Sequence, residues 1–280
     1  MRKVKFITAL LCFFYVLPAL AWSAVGHRVV GRIAYDYLTP KAKRHYAHIN
    51  QRLNTDRHHF NLITASVWLD LMYNQQLISL RPMHYIDIPF TMDDSVLPDI
   101  FLNNAVTAIR SASITLTAPE ASLGEQAIAL RILLHVVGDI HQPLHTTSCV
   151  SAQHPDGDRG GNDFKLAKNK VAPTLHGYWD RGGGLLQQPM NAVETTHFAR
   201  TIEARWVCPA EDFDAMHWAA ESHAIALKHV YGLEESTIPS DEYQHTTEDI
   251  TKRQLVYAGC RLAALLNHLY QLSALEKSLQ

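Results

Sequence analysis

Residues 135–145, HVVGDIHQPLH, place three histidines and an aspartate in eleven positions that end at a proline break. On a helix, His135 and Asp139 stand four apart and share one face. Imidazole plus carboxylate at that spacing is half of a site for a dication such as zinc. It is also the spacing of many ordinary surface hydrogen bonds. The surroundings favour the ligand reading: Leu130, Ile132, Leu133, Leu134, Val136, Val137 and Ile140 make this stretch apolar nearly all round. Such a helix is buried, and a charge buried with it is costly unless paired or metal-bound. His145 follows Pro143 and approaches from another direction. His141 projects about 200 degrees around from Asp139 and reads as a supporting or surface residue.

Other stretches offer similar groups. LHGYWD repeats the spacing with His176 and Asp180, SVWLD ends in Asp70, and MHYID holds His84 and Asp87 among prolines. His27 opens a helix soon after Trp22. Residues 1–21 carry Arg2, Lys3 and Lys5, then an apolar run, and close on Ala19-Leu20-Ala21. This is the pattern of a secretory signal peptide, its apolar run of about 16 residues being short of the roughly 20 a span needs. Cleavage after Ala21 makes Trp22 the amino terminus, and a free α-amine with its own carbonyl oxygen can chelate a metal. The chain is thus expected to be exported, either secreted or periplasmic, with no membrane span after processing.

Composition narrows the partners. The leader holds three of the 25 Lys and Arg residues and none of the 27 Asp and Glu, so the remainder is mildly acidic. That argues against gripping duplex nucleic acid through a basic surface, which works by neutralising many phosphates. Phosphate recognition here needs another source of positive charge, and metal ions supply one. All 17 histidines lie beyond the leader. Cys149, Cys208 and Cys260 allow one disulfide, expected between Cys208 and Cys260. The chain has no Cys-x-x-Cys, which argues against a thiolate zinc site.

The elements that must position these groups are helical, because period-3.6 patterns dominate and strand-like alternation is scarce. Helices are expected over Val25–Tyr37, from the Thr39 cap and Pro40 to about Leu53, and over Asn61–Leu80, Asn103–Leu116, Ala192–Trp206, Asp212–Val230 and Glu248–Leu275. Ser122-Leu-Gly-Glu125 is a capping box opening the helix that runs to Ile140 and stops before Pro143. Residues 81–100 read as loop. Residues 146–187, rich in Gly, Asp and Asn, read as a long functional loop with one hairpin around Phe164–Val171. The stretch from Trp218 to His223 is expected to pack against or support the site. The expected fold is all-α, a single-domain multi-helix bundle over residues 22–280 with one long irregular segment.

Taken together, Trp22, Gly26-His27, Trp68-Leu-Asp70, His84-Tyr-Ile-Asp87, His135-Val-Val-Gly-Asp139, Gln142-Pro-Leu-His145, Gly160-Gly-Asn-Asp163 and His176-Gly-Tyr-Trp-Asp180 resemble the trinuclear-zinc single-strand nuclease family of fungi and plants, which shares its fold with bacterial zinc phospholipase C. The resemblance spans residues 22–180 in the family's order, and Tyr257-Ala-Gly259 and Arg261-Leu-Ala-Ala extend it. It implies three zinc ions held by Trp22, His27, Asp70, His84, His135, Asp139, His145, His176 and Asp180. Asp70, His84, His135 and Asp139 would share one ion, with Asp70 bridging to a second held by Trp22 and His27. It also implies Tyr85 as a base-stacking aromatic, and Asn162 and Asp163 as nucleobase contacts. Asp87 stands where an acid either orients the attacking water or binds a ligand histidine.

One departure is Tyr73, where fungal members carry an arginine; Arg159 or Lys165 could substitute, or the metals alone could carry that charge. The implied activity is zinc-dependent hydrolysis of single-stranded RNA or DNA to 5′-phosphorylated products, with 3′-nucleotidase activity compatible with the same chemistry. Close dications lower the pKa of a water between them and neutralise phosphate. No stable protein partner is implied. The competing readings are a zinc phospholipase C and a non-catalytic exported zinc-binding protein, the latter disfavoured because the ligands are scattered singly and not in histidine-rich tracts.

Overall fold

The structure, a computed structural model, describes residues 22–74 and 78–279; the expected signal peptide lies outside the described residues. In chain order, the helices are α1 (Ala24–Tyr37), α2 (Pro40–Gln51), α3 (Trp68–Asn74), α4 (Ala105–Thr117), α5 (Leu123–Asp139), α6 (Leu175–Asp180), α7 (Ala192–Glu203), α8 (Ala215–Ile225) and α9 (Asp241–Leu279). Two three-residue strands, β1 (Pro89–Thr91) and β2 (Ser148–Val150), pair in parallel. The fold is all-α, as expected. No described helix is long and apolar enough to cross a membrane.

α5 is the axis. Leu130, Leu133, Leu134, Val136 and Val137 are buried, and so are His135 and Asp139. α1, α2, α4 and α9 pack around it. Its start is set by the Ser122–Glu125 capping box, in which each side chain satisfies the other's backbone amide. α2 likewise starts with Pro40 behind the Thr39 cap, whose hydroxyl accepts the Ala42 amide at 3.2 Å.

Several expectations give way to local polar chemistry. The helix expected over Asn61–Leu80 is broken into a 3-10 turn (Thr64–Val67), α3 and a second 3-10 turn (Ile78–His84). Asn61 causes the first break: its side-chain oxygen accepts both the Ile63 and Thr64 amides at 2.9 Å, offering the backbone an alternative to helix. Residues 81–100 are not only loop, since β1 lies within them, and β2 likewise lies within 146–187. At three residues each, neither strand shows an alternation to read. The hairpin around Phe164–Val171 reduces to one antiparallel bridge between Lys165 and Thr174. The same segment holds α6, only six residues long and capped by Thr174. α9 begins seven residues earlier than expected because the Ser240 hydroxyl accepts the Tyr243 amide at 3.1 Å.

Cys208 and Cys260 form the expected disulfide, tying the segment after α7 to α9, and Cys149 is a buried free thiol. α9 crosses α1 closely at Gly259, where a Cβ would stand 2.5 Å from Ile33 Cβ and Cγ2 and 3.2 Å from the Val30 carbonyl. Gly259→Ala should therefore overpack this crossing and cost about 1–3 kcal/mol. The check is the midpoint of denaturant unfolding, which should fall while its slope holds.

Candidate metal centre

Six elements deliver the polar groups to one buried place. α1 brings His27, α3 Asp70, the 3-10 turn at 78–84 His84, α5 His135 and Asp139, the 3-10 turn Pro143–His145 His145, and α6 both His176 and Asp180. All eight side chains are buried. Their ligand atoms gather into three groups, each within 4.8 Å: His27 with His135 and Asp139, Asp70 with His84 and His135, and His145 with His176 and Asp180. His27 thus stands with Asp139, not with Asp70 as the expected division had it.

The distances describe a tight knot. Asp139 Oδ1 lies 3.2 Å from His27 Nε2, and Oδ2 lies 3.2 Å from His135 Nε2 and 3.1 Å from His84 Nδ1. Asp70 Oδ1 is 3.4 Å from His135 Nε2. The His27 and His135 rings stack 3.8 Å apart. In the third group, Asp180 Oδ2 is 3.5 Å from His176 Nε2, and Oδ1 is 3.7 Å from His145 Nε2.

The backbone selects which ring nitrogen faces inward. His135 Nδ1 donates to the Ser66 carbonyl at 2.6 Å, His145 Nδ1 to the His84 carbonyl at 2.7 Å and His176 Nδ1 to the Gly160 carbonyl at 2.7 Å. In each case Nε2 is left for the centre, and such outer hydrogen bonds both orient a ligand imidazole and raise its basicity. The β1–β2 ladder sets the His84 and His145 segments side by side, with the Ile86 amide bonded to the His145 carbonyl at 2.8 Å. Gly160 reaches His176 through a left-handed backbone (φ +61°), and a Cβ there would collide with the Leu144 carbonyl at 2.3 Å.

Burial works against every charge here, and only the neighbouring groups offset it. Burial would raise Asp139, but His135, His27 and His84 hold it well below the usual carboxylate range; Asp70 is lowered too, against its burial, by His135 first and then His27 and His84. Burial would lower His135 and His145, yet the surrounding acids raise both, His145 to about 9. Burial prevails at His27 and His176, which are lowered.

Ions of nitrogen and oxygen preference fit these residues. Both nitrogens of His27, Asp70 Oδ1, Asp139 Oδ1 and His145 Nε2 are buried without a hydrogen bond. One such atom costs about 1–3 kcal/mol, and native structures hold few. Five in one place, all of types that ligate dications, make a cradle that cations would satisfy.

The remaining predicted residues lie around this knot. The indole of Trp22 is fully buried and donates to the Gly138 carbonyl at 2.9 Å, while the next amide, Ser23, bonds to the Asp180 carbonyl at 3.0 Å. Tyr85 and Asp87 are half-buried between His84 and β1. Asp87 is pushed up to about 6, chiefly by burial, with His145 opposing and Asp158 adding to the rise. Asn162 and Asp163 lie just past Gly160, with the Asp163 carboxylate gripped by Arg159 at 2.7 and 2.5 Å. Arg159 is therefore engaged in this loop, and Lys165 is too, through the Asn162 carbonyl at 3.0 Å. The side chain of Tyr73 lies outside the described residues. His141 is fully buried and joins none of the three groups, so it supports the site and is not a surface residue. Burial and Arg261 push it down to about 3, keeping it neutral.

Sequence reasoning gave Gln142 no role of its own, yet its side-chain amide donates to Asp180 Oδ1 at 2.7 Å. Only its place before Pro143, among ligand-type residues, could have marked it.

Residues 22–271 match the family model described as S1/P1 Nuclease. The chain belongs to that family. It is accordingly a nuclease, a hydrolase of phosphodiester bonds. Its relatives include Endonuclease 1 of Arabidopsis thaliana, 26% identical over 96% of this chain and 93% of that protein. Nuclease S1 of Aspergillus oryzae is 25% identical over 88% and 91%, and Nuclease P1 of Penicillium citrinum 22% identical over 89% and 98%.

The shifts set a pH dependence for this nuclease once stripped of metal. His145, raised from 6.5 to about 9, contributes stability in full below pH 6.5 and loses it as the pH rises through 9; His135 acts in the same sense. His27 and His176, shifted downward, instead cost stability as the pH falls below 6.5. The thermal midpoint of the chelator-treated protein should therefore decline on both sides of neutrality. A midpoint flat from pH 6.5 to 9 would contradict the assignment.

Proposed function

We propose that this nuclease is a zinc-dependent endonuclease that cleaves single-stranded RNA or DNA to 5′-phosphorylated products and accepts terminal 3′-phosphates. The supporting observation is the buried convergence of five imidazoles and three carboxylates, among which His27 Nε2, Asp70 Oδ1, Asp139 Oδ1 and His145 Nε2 lack a hydrogen bond. His27, Asp70, His84, His135, Asp139, His145, His176 and Asp180 are the side chains that would hold zinc, three ions matching the three groups. Removal of residues 1–21 would add the Trp22 amine and carbonyl as ligands, the buried indole fixing that residue against Gly138. The ions would supply charge neutralisation for phosphate and a lowered pKa for water.

The protein's own residues do the positioning. Tyr85 offers a ring to an unpaired base, an interaction open to a splayed single strand and closed to a stacked duplex. Asn162 and Asp163 face base edges from the loop braced by Gly160. Arg159 occupies part of the Asp163 carboxylate, whose remaining lone pairs can accept from an exocyclic amine. Asp87, poised near 6, is suited to orient an attacking water and take its proton near neutral pH. Export fits the Cys208–Cys260 disulfide, a bond that persists in oxidising compartments.

Exhaustive chelation should abolish cleavage of a single-stranded oligonucleotide, and zinc should restore it. The same strand in duplex should be cut more slowly, and phosphatidylcholine micelles should not be turned over. Hydrolysis persisting after dialysis against chelator sinks the proposal. Tyr85→Ala should weaken oligonucleotide binding by about 1–3 kcal/mol per stacked base, read as a raised KM. Zinc added to the stripped protein at pH 7 should also release protons, because His145 must lose one to ligate.

A further inference from the structure

The two halves of the centre are joined by a short junction. His135 and Asp139 precede it on α5, and His145 follows it, beside α6 with His176 and Asp180. Between them, residues 140–142 leave the helix: Gln142 turns extended (φ −85°, ψ 119°) ahead of Pro143. The register of one half on the other depends on how firmly this turn is held.

It is held from behind by α9. His141 Nδ1 donates to the Val137 carbonyl at 2.7 Å, leaving Nε2 to accept from Arg261 Nη1 at 3.0 Å. The His141 carbonyl, an orphan of the helix end, accepts from the Gln254 side chain at 3.0 Å. Every polar group of the His141 side chain and its carbonyl is thereby engaged. Arg261 is itself fixed: its other terminal nitrogen reaches Glu221 of α8 at 2.6 Å, and its guanidinium lies 5.8 Å from the ring centres of both Trp218 and Tyr257. Arg261 and Gln254 are buried, so no water can replace either bond cheaply. The residue after His141 is Gln142, which grips Asp180.

We propose that Arg261 is a positioning residue of the metal centre, clamping the junction through His141 so that Gln142, Asp180 and His145 stand in register with His135 and Asp139. None of these clamp contacts involves an atom of the three ligand groups, so Arg261 acts at a distance through the peptide turn. The clamp restrains the His145–His176–Asp180 group most, because that group lies beyond the turn, whereas His135 and Asp139 are also fixed by the body of α5. This inference rests on the metal reading of the site.

The test is zinc retention. Full-length processed protein, loaded with zinc, is titrated with chelator and the bound zinc per chain is measured, for wild type and Arg261→Met. The variant should show an early release step at about 10- to 100-fold lower chelator, the size expected when an outer contact of a ligand is lost. The rest of its zinc should follow the wild-type curve. Adding His176→Ala to the variant should delete the early step, assigning it to the group beyond the turn. A merely structural role would move all the zinc together with the melting temperature; that result, or superimposable curves, overturns the inference. If Arg261→Met does not fold, Gln254→Leu, which removes the bond to the His141 carbonyl, should show the same early step, and a wild-type curve there overturns it equally. Wild type that takes up no zinc would refute the metal reading itself, a distinct failure.

Discussion

The structure turns on a helix that is apolar nearly all round and still buries an imidazole and a carboxylate near its end. α5 lies at the centre of the bundle, so His135 and Asp139 have no water to solvate them. An isolated ionised group in such surroundings neutralises or disrupts the fold unless other charges answer it. The answer is drawn from the sequence at long range. His27 and His84 are brought against α5 with ring nitrogens 3.2 and 3.1 Å from Asp139, and Asp70 sets a carboxylate oxygen 3.4 Å from His135. The packing of α1 and of the turns flanking α3 is thus tied to the electrostatics of two residues on one helix.

A second constraint is directional. A histidine has two nitrogens, and a ligand site needs to know which one faces the ion. Here the backbone decides, through the carbonyls of Ser66, His84 and Gly160. These carbonyls come from a 3-10 turn, the end of another and a left-handed glycine, places where helix or sheet bonding does not consume the acceptor. The irregular parts of the chain are therefore the parts that orient the imidazoles, while the regular helices supply position.

That division explains what could be read from the residues alone. The helices with side-chain caps, α2, α4, α5 and α7, and α1 with its long apolar stripe, were legible because local and global preferences agree in them. So was the set of histidines and aspartates that the fold gathers together, since buried His and Asp at helical spacing carry an energetic warning. The breaks were less legible. Asn61 diverts its backbone by a side-chain bond that periodicity does not register, and α6, β1 and β2 are too short to show a period. Gln142, Arg261 and Gln254 escaped because their roles depend on contacts across 38, 120 and 113 positions, separations at which no spacing rule applies. The small sheet was missed for the same reason.

Every histidine and aspartate of the three groups lies between residues 27 and 180, while α7, α8 and α9 contribute none and brace the rest from behind. Ribosomal synthesis proceeds from the amino terminus at about 5–20 residues per second. The roughly one hundred residues beyond Asp180 thus take on the order of 5–20 s to appear. For that interval the nascent polypeptide owns all of these histidines and aspartates but lacks the helices that brace them from behind. Histidines of an unfolded chain can also bind metals, so any ion taken up in that interval would meet these side chains before α7, α8 and α9 brace them.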